Sequence, residues 1–386
     1  MKLAEIKMKK KIRAIAIVLP QYYPIPENDL WWGKGFTEWT NVAKARPLFK
    51  GHYQPHIPSD LGFYDLRLAE VRKAQADLAR EYGIEGFCYY HYWFGNRKRL
   101  LERPVDEILD SSEPDFPFCL CWANQTWRGI WFGSTFPGIL IEQEYPGKQD
   151  YIDHFNYLIK AFRDKRYITV DGKPLFYVYQ VLSIPDLSEL VTTFRQCAKD
   201  AGLKGLYLIA SHCPLDWNPI EHGFDGVVGS EFSTMRYFTV RNFESESYFI
   251  RKYSRFRNRL SGGGLGRNIE KRIKPIVVPY KDAINYLITE KKISFDYFPI
   301  AIPNWDNTPR AGVKGLIFDN STPEFWKKHF KQSIEKIINN EADKRIVFIK
   351  SWNEWAEGNH LEPDLKWGHQ YLQAMKEVLD EYELKL

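Results

Sequence analysis

Two glutamates three positions apart are the residues of this sequence best suited to chemistry. Glu354 and Glu357 stand in the segment Ser-Trp-Asn-Glu-Trp-Ala-Glu-Gly at 351–358, directly after the apolar run at 346–349. If a helical turn begins there, residues three apart lie on one face, with Cβ atoms about 5–6 Å apart. Like charges so close raise the pKa of one carboxyl, which separates a proton donor from a base. Glycoside hydrolysis uses such a pair. The alternative is a surface turn that carries two glutamates without a special role.

The elements that would position this pair alternate between apolar runs and amphipathic helices. Apolar runs rich in β-branched and aromatic residues are typical of strands buried on both faces of a parallel sheet. They predict eight strands, at 12–19, 86–90, 118–122, 175–179, 206–210, 226–229, 298–302 and 345–350. Apolar residues at three- and four-residue spacing predict helices at 66–82, 151–163, 187–201, 323–340 and 368–386. Thr322, followed by Pro323, is the predicted N-cap of the fourth helix.

Eight strands with helices between them predict an α/β fold, a single (β/α)₈ TIM barrel that spans residues 1–386. The long segments at about 21–65 and 231–297 contain no comparable strand. They are predicted to be loop insertions on the barrel.

The positions just past the predicted strands carry amide, imidazole, carboxylate and indole groups. In a (β/α)₈ barrel that rim surrounds the active site. Aromatic faces stack on the C–H faces of a sugar while polar groups bond its hydroxyls, so the rim predicts a carbohydrate-binding cleft. The alternative is that strand ends are polar because they meet water. The residues predicted to line the cleft are Trp93, Trp122, Trp305 and Tyr179, with His91, Asn124, Asp306 and Asn353 as hydrogen-bonding partners.

Composition favours an ordinary globular protein with an aromatic-lined cleft. Of the 386 residues, 44% are hydrophobic, 27% charged and 16% aromatic, with 13 Trp and 23 Tyr. A net charge of +5 is small for this length and argues against a nucleic-acid binder. Nine basic residues, however, fall within 251–274. A solvated face is the favoured interpretation of that segment, and contact with an anionic glycan or a membrane surface is the alternative.

The compartment is predicted from the start of the chain and from its cysteines. The basic start at 1–13 and the apolar run at 14–19 resemble a signal peptide, but the run is short and no small-residue cleavage site follows. No stretch of about 18 apolar residues predicts a membrane span. The five cysteines are odd in number and lack C-x-x-C spacing. These features predict reduced thiols in a cytoplasmic protein.

Signals for a metal or a cofactor are weak. His52 and His56 are spaced like metal ligands, but Pro55 and Pro58 argue against a helix there. The sequence lacks Asp-x-Asp, the arrangement by which many sugar-nucleotide transferases hold a divalent cation. It also lacks G-x-S-x-G and a dinucleotide-binding turn, and the glycine-rich stretch at 262–266 has no Lys-Ser/Thr. We expect no metal and no cofactor.

Eight segments spread over nearly the whole chain carry a family resemblance. They are Leu-Pro-Gln-Tyr-Tyr-Pro at 19–24, Gly-Phe-Thr-Glu-Trp at 35–39, Gly-His-Tyr-Gln-Pro at 51–55, Asp-Leu-Gly-Phe-Tyr-Asp at 60–65, Tyr-Tyr-His-Tyr-Trp at 89–93, Cys-Trp-Ala-Asn at 121–124, Pro-Asn-Trp-Asp at 303–306 and Trp-Asn-Glu-Trp-Ala-Glu-Gly at 352–358. In combination they resemble the WbsX family of polysaccharide-locus proteins, which is related to glycoside hydrolase family 99.

That relation implies a (β/α)₈ barrel and a retaining mechanism without a metal. Family 99 enzymes are endo-acting α-mannosidases whose two glutamates stand in a similar Asn-Glu-Trp-x-Glu segment. By position, Glu354 resembles the base that acts on the sugar 2-hydroxyl and Glu357 resembles the general acid/base. Outside this motif the agreement thins, so the substrate does not transfer. The matching segments also supply the remaining predicted substrate-binding residues, Tyr22, Glu38, Trp39 and Trp355.

Three classes of function remain open. The leading one is a retaining glycoside hydrolase or transglycosylase that acts on a bacterial polysaccharide, O-antigen or capsule glycan. It would form a 1,2-anhydro sugar, which favours manno- or rhamno-type substrates. The runner-up is a glycosyltransferase of O-antigen or capsule synthesis, the label that WbsX-like proteins often bear. A non-catalytic glycan-binding module is the third. An oligosaccharide or polysaccharide is the expected partner in each case.

Overall fold

The computed structural model describes residues 12–129, 138–229 and 274–385. Its main sheet is a nearly closed barrel of parallel strands, which confirms the predicted fold. The strands on this path are β1 (Arg13–Val18), β2 (Gly86–Trp93), β3 (Phe118–Trp122), β4 (Lys173–Val178), β5 (Tyr207–Ala210), β6 (Gly226–Val228), β7 (Asp296–Phe298), β8 (Ile300–Ala301) and β9 (Ile346–Ile349). Their order around the barrel is β7, β6, β5, β4, β3, β2, β1, β9, β8.

The barrel is completed by one strand that is interrupted at Pro299. On one side β7 pairs with β6, and on the other side β8 pairs with β9. Proline has no N–H to donate to a ladder. Its carbonyl instead accepts from the backbone N–H of Phe348 at 3.0 Å. The chain itself therefore joins the two ends of the sheet, and the strand predicted at 298–302 exists as two pieces.

Side chains alternate between the barrel interior and the surrounding helices. The Tyr177 ring lies 5.6 Å from the Phe348 ring, although β4 and β9 are not neighbours, so this contact crosses the interior. Cys121 and Tyr90 are in parallel register with Tyr177 and share its face. Because the side-chain period of a strand is two, this register decides which residues of each strand face inward.

The helices lie near their predicted positions. The structure contains α1 (Pro26–Trp32), α2 (Glu38–Lys44), α3 (Ala69–Glu81), α4 (Arg103–Ser111), α5 (Lys148–Phe162), α6 (Leu187–Asp200), α7 (Tyr280–Leu287), α8 (Thr308–Ala311), α9 (Pro323–Ile337) and α10 (Gln370–Lys385). The five predicted helices correspond to α3, α5, α6, α9 and α10. Thr322 caps α9, since its hydroxyl accepts from the N–H of Phe325.

The predicted insertions are more ordered than expected. The segment at 21–65 contains α1 and α2. Residues 231–273 lie outside the described part of the chain. They include all of the basic segment at 251–274 except Lys274. The segment at 274–297 contains one short strand outside the barrel sheet, Ile276–Pro279, which pairs in parallel with Leu316–Asp319. This strand is only four residues long, prolines flank it, and alternate residues are exposed, so it does not resemble a doubly buried barrel strand.

The described residues include no helix that is both long and apolar enough to cross a membrane. Cys88, Cys119 and Cys121 are buried in the barrel and form no disulfide among the described residues, and burial raises the pKa of Cys88 and Cys119 well above the ordinary thiol value.

Candidate active site

The two glutamates follow the last barrel strand in a tight hairpin rather than an α-helical turn. Asn353–Glu354 pairs antiparallel with Asn359–His360, and Trp355–Glu357 forms the 3₁₀ turn between them. Glu354 is only 5% exposed, and the Glu357 side chain is 18% exposed. The pair therefore lies largely inside the protein, which excludes the surface-turn alternative.

Gly358 allows this hairpin to dock on the loop that follows β8. Its φ is +53°, a conformation that favours glycine. A Cβ at this position would lie 2.8 Å from the Cβ of Asp306 and 2.9 Å from its backbone nitrogen. The Asp306 N–H donates to the Glu357 carbonyl at 2.7 Å. The close approach thus attaches the loop at 304–306 directly to the glutamate segment.

Glu354 is paired with a buried lysine. Lys350 Nζ donates to Glu354 Oε2 at 2.8 Å and to the Tyr90 hydroxyl at 2.9 Å. Lys350 is only 3% exposed and lies 6.0 Å from the centre of the Trp305 ring. Lys350 lies two residues after Phe348, so its side chain points to the same side of the strand, which is the barrel interior. A buried charge needs such a partner, so Lys350 and Glu354 compensate each other's charge.

Glu357 is held by an arginine that it shares with Glu38. Arg310 donates to Glu357 Oε1 at 2.6 Å and, through its other terminal nitrogen, to Glu38 Oε1. Burial raises the pKa of Glu357 to about 7; Arg310 opposes this effect and the charge of Glu354 adds to it. Burial also raises the pKa of Glu38, which is fully buried. Both carboxyls therefore hold a proton more readily than exposed glutamates do.

An aromatic group supports the hairpin from behind. The Tyr22 hydroxyl donates to the Asn353 carbonyl, and the Trp39 and Trp355 rings lie 5.6 Å apart. The Asn353 side chain is fully buried, and its amide bonds both the N–H and the carbonyl of Leu19 at 2.7 and 3.1 Å. Asn353 therefore joins β1 to the glutamate segment, and its amide groups are used within the protein.

Asp306 is likewise used within the protein. One carboxylate oxygen accepts from His52 and Gln54, both at 2.7 Å, and the other accepts from Thr308 at 2.6 Å. Burial acts to raise the pKa of Asp306, but the hydrogen bonds from His52 and Thr308 outweigh it and lower the pKa. An ionised Asp306 thus ties the segment at 51–58 to the loop beside Glu357.

Three predicted cleft residues face the helices instead of the two glutamates. His91 contacts His154 of α5 at 2.8 Å, Trp93 donates to Asp150 of α5 at 2.9 Å, and the Trp122 ring packs 4.8 Å from His154. The reason is that β2 runs to Trp93, three residues beyond its predicted end. Residues inside a strand alternate in direction, so 91 and 93 point outward while 90 and 92 point inward.

Asn124 and Tyr179 connect neighbouring strand ends. The Asn124 amide donates to the Gln180 carbonyl and accepts from the Gln180 N–H, at 2.9 and 2.8 Å. The Tyr179 ring lies 5.9 Å from the Tyr90 ring, on the side of Lys350. Of these two, only Tyr179 is close to the residues that hold Glu354.

Lys350, Arg310, Tyr90 and Tyr92 belong to the site but were not predicted from the sequence. Burial is the largest cause that raises the pKa of Tyr92, and the charge of Glu354 is the second largest. Tyr92 is therefore near that carboxylate. Lys350 had one usable signal, because it ends an apolar strand four residues before Glu354. Arg310 had none, since only the tertiary fold brings it to Glu38 and Glu357.

Comparisons with known proteins give one family model and two curated relatives that match nearly the whole chain. Residues 14–375 match the family model described as "Glycosyltransferase WbsX". Two relatives, each described as uncharacterized protein WxcX, come from strains B100 and ATCC 33913 of Xanthomonas campestris pv. campestris. Each is 35% identical over 368 residues, which cover 95% of this chain and 49% of the relative. The chain thus spans about half the length of these curated relatives.

The fold is also similar to solved structures. One is a GH99 endo-alpha-mannosidase from Bacteroides thetaiotaomicron in complex with Bis-Tris-propane, with a TM-score of 0.54 and 16% identity over 96% of this chain and 97% of that one. Another is described as a glycoside hydrolase-like protein, with a TM-score of 0.55 and 14% identity over 96% and 95% of the two chains. At these identities the likeness concerns the fold alone.

Proposed function

This chain belongs to the WbsX family, and from that premise and the setting of its two glutamates we propose that it is a retaining glycoside hydrolase or transglycosylase. Its substrate would be a bacterial polysaccharide, O-antigen or capsule glycan with a manno- or rhamno-type sugar. Glu354 would act as the base and Glu357 as the general acid/base. Reduced, buried thiols support a cytoplasmic location for this activity.

The unequal setting of the two carboxyls carries the proposal. Glu354 pairs with the buried ammonium of Lys350, whereas the pKa of Glu357 is raised to about 7. The ion pairs of this group join three carboxyl groups to two cations: Glu38 and Glu357 pair with Arg310, and Glu354 pairs with Lys350. With all of them ionised the group carries one negative charge, so one bound proton makes it neutral. Glu357 is the partly exposed member of the acids bound to Arg310, and it can exchange that proton with a substrate. One base and one acid result, as glycoside cleavage requires.

The proposed reaction follows from these roles. Glu354 removes the proton of the sugar 2-hydroxyl while Glu357 protonates the departing glycosidic oxygen. Oxygen 2 attacks the anomeric carbon as the bond to the leaving group breaks, which gives a 1,2-anhydro sugar. In the second half Glu357 takes a proton from water or an acceptor hydroxyl while that oxygen attacks the anomeric carbon. The bond from this carbon to oxygen 2 breaks, and Glu354 returns its proton to oxygen 2, which gives overall retention. The two outcomes differ only in the acceptor, so hydrolysis and transfer share one site.

The substrate class follows from the internal nucleophile. Oxygen 2 reaches the anomeric carbon from behind only when it is trans to the leaving group, as in α-mannosides and α-rhamnosides. Tyr90, Tyr92 and Tyr179 lie on the Lys350 side of the site, and we propose them with Trp305 as contacts for the ring. Aromatic and hydroxyl groups together suit sugar recognition.

A panel of aryl glycosides tests the proposal. We expect turnover of α-mannoside or α-rhamnoside and none of α-glucoside, with loss of turnover in Glu354→Gln. A 2-deoxy analogue is expected to be inert, because it lacks the internal nucleophile. A 2-fluoro sugar trapped covalently on Glu354 would make that residue an ordinary nucleophile and sink the anhydro route.

The family name favours a second candidate, a glycosyltransferase that uses an activated donor. Titration with nucleoside diphosphates and with oligosaccharides separates the two. Saturable binding of a nucleoside diphosphate that requires Mg²⁺ or Mn²⁺ would favour the transferase. Binding of oligosaccharide alone would favour the hydrolase, and binding without turnover on any glycan would favour a non-catalytic binding module.

A further inference from the structure

A cluster of two histidines and one aspartate stands beside the glutamate hairpin and has no role in the proposed reaction. His56 Nδ1 lies 3.0 Å from His360 Nε2. One carboxylate oxygen of Asp364 lies near both histidines. The three possible ligand atoms, one from each residue, are all within 4.8 Å of one another. From this geometry we propose that His56, His360 and Asp364 bind a divalent transition-metal ion of the Zn²⁺ class.

The two segments that carry these residues are held together by the backbone. The Leu365 N–H donates to the Ile57 carbonyl at 2.9 Å, and the Ser59 N–H donates to the Pro363 carbonyl at 3.0 Å. Both contacts lie within three residues of His56 or Asp364. The ligands are therefore positioned before an ion arrives, which reduces the entropy cost of binding.

His360 has the orientation that a metal ligand needs. Its Nδ1 donates to the Glu362 carbonyl at 3.0 Å, which leaves the lone pair of Nε2 directed at the cluster. The Trp355 ring stacks on the imidazole at 3.7 Å with an interplanar angle of 10°, so the ring plane is held as well.

Asp364 is similarly oriented. Its Oδ1 accepts from the N–H groups of Lys366 and Trp367 at 3.0 and 2.6 Å. These two bonds fix the orientation of the carboxyl group. The Lys366 side chain is exposed and lies 4.4 Å from the centre of the Tyr53 ring. Its charge opposes a cation, but solvent screens charge at such an exposed position.

The spacing fits an ion as well as a hydrogen bond. Two nitrogens at about 2.0–2.1 Å from one metal stand about 3.0–3.4 Å apart. Without an ion, one imidazole donates an N–H to the other; on metal binding, the His56 proton moves to its Nε2. A cavity of about 90 Å³ is lined by His56 and Asp364. It has room for water ligands, since a water molecule occupies about 30 Å³.

The donor set selects the kind of metal. Two imidazoles and one carboxylate suit Zn²⁺, Co²⁺, Ni²⁺ or Fe²⁺, whereas Mg²⁺ and Ca²⁺ prefer oxygen ligands alone. The ion would join the segment at 51–58 to the hairpin and hold His360 against Trp355. Its role would be to stabilise the packing of these two segments, not to take part in bond cleavage.

Calorimetry with tag-free, chelator-dialysed protein tests the site, with ZnCl₂ as the probe. We expect one Zn²⁺ per chain, and binding about 10- to 100-fold weaker in Asp364→Asn and in His56→Gln. Asp364→Asn keeps the acceptor for the two N–H groups and therefore preserves the local fold. Asp319→Asn is the matched control, because Asp319 lines the same cavity outside the cluster; its affinity is expected to be unchanged.

The absorption of bound Co²⁺ gives a readout that does not depend on activity. The visible bands of wild type should be lost or shifted in Asp364→Asn and kept in Asp319→Asn. The proposal is overturned if wild type binds no Zn²⁺, or if Asp364→Asn and His56→Gln both bind it as tightly as Asp319→Asn does. The measurement needs no glycan, so its failure leaves the proposed glycosidase activity untouched.

Discussion

Lys350 Nζ lies 2.8 Å from Glu354 Oε2 and 2.9 Å from the Tyr90 hydroxyl, inside a barrel where Lys350 is only 3% exposed. The ammonium holds the carboxylate in one orientation and stabilises its charge. The register of the last barrel strand turns Lys350 inward, and this orientation brings its ammonium to Glu354, the proposed base.

Lys350→Met is expected to reduce kcat by about 10²–10⁴, the usual contribution of a positioned base. Tyr90→Phe is the control: it keeps the ion pair and should reduce kcat less than Lys350→Met does. A folded Lys350→Met enzyme with the kcat of wild type would contradict this role.

The roles of the glutamates predict different responses to the leaving group. Glu357→Gln should abolish turnover of glycosides with a basic leaving group and spare those with an activated aryl group, since an acid matters most for a basic oxygen. Glu354→Gln should impair both substrates. Steady-state kinetics over a series of aryl leaving groups measures this, and equal losses for both substrates in Glu357→Gln would count against its role as acid.

The pH dependence follows from the raised pKa of Glu357, about 7, caused by burial and by Glu354 and opposed by Arg310. The acid must be protonated to act, so kcat/KM for a poor leaving group should be flat just below pH 7. It should then fall about tenfold per unit above that value. Glu357→Gln, assayed with an activated glycoside, should lack this alkaline limb. A wild-type profile that rises through pH 7 would reverse the assignment of acid and base.

Stability should depend on the amide of Asn353, which bonds both backbone groups of Leu19. Asn353→Ala leaves a buried N–H and carbonyl unpaired, which costs about 1–3 kcal/mol in the free energy of unfolding. Urea denaturation measures it. The exposed Asn285 donates only to a carbonyl one turn earlier in α7, so Asn285→Ala should change the midpoint little. A similar effect of the two substitutions would mean that Asn353 does not join β1 to the hairpin.

Chelation should separate stability from turnover. The proposed proton transfers use carboxyls, so EDTA is expected to leave the turnover of folded enzyme unchanged. It should lower Tm if the His56, His360 and Asp364 cluster is loaded with metal. Loss of turnover that Mg²⁺ or Mn²⁺ restores would instead favour the transferase. Thermal melts and glycoside assays on the same dialysed sample distinguish these outcomes.

The barrel and its glutamate pair could be predicted from the sequence because both depend on local patterns. A strand buried on both faces appears as an apolar run wherever it stands, and Glu354 and Glu357 are neighbours in the chain. The resemblance of eight segments to one family supplied the proposed roles of these two residues. Patterns of this kind do not depend on how distant parts of the chain meet.

The tertiary structure decided which other residues surround the pair. The sequence predicts His91 and Trp93 past the end of a strand, but β2 continues through them, and the two-residue alternation of side chains directs them toward α5. The same alternation directs Tyr90 to the opposite face of β2, toward Lys350. Composition does not show where a strand ends, yet a residue inside the strand has its direction fixed by the alternation of side chains, whereas a residue past the end does not.

Contacts between distant segments were also decided only by the fold. Arg310 meets Glu38 across 272 positions, and His56 meets His360 across 304. The sequence paired His52 with His56 as possible ligands, but the structure gives His52 to Asp306 and His56 to His360. The spacing of side chains along a chain determines local structure, whereas partners in a buried site depend on which loops the closed barrel brings to one rim.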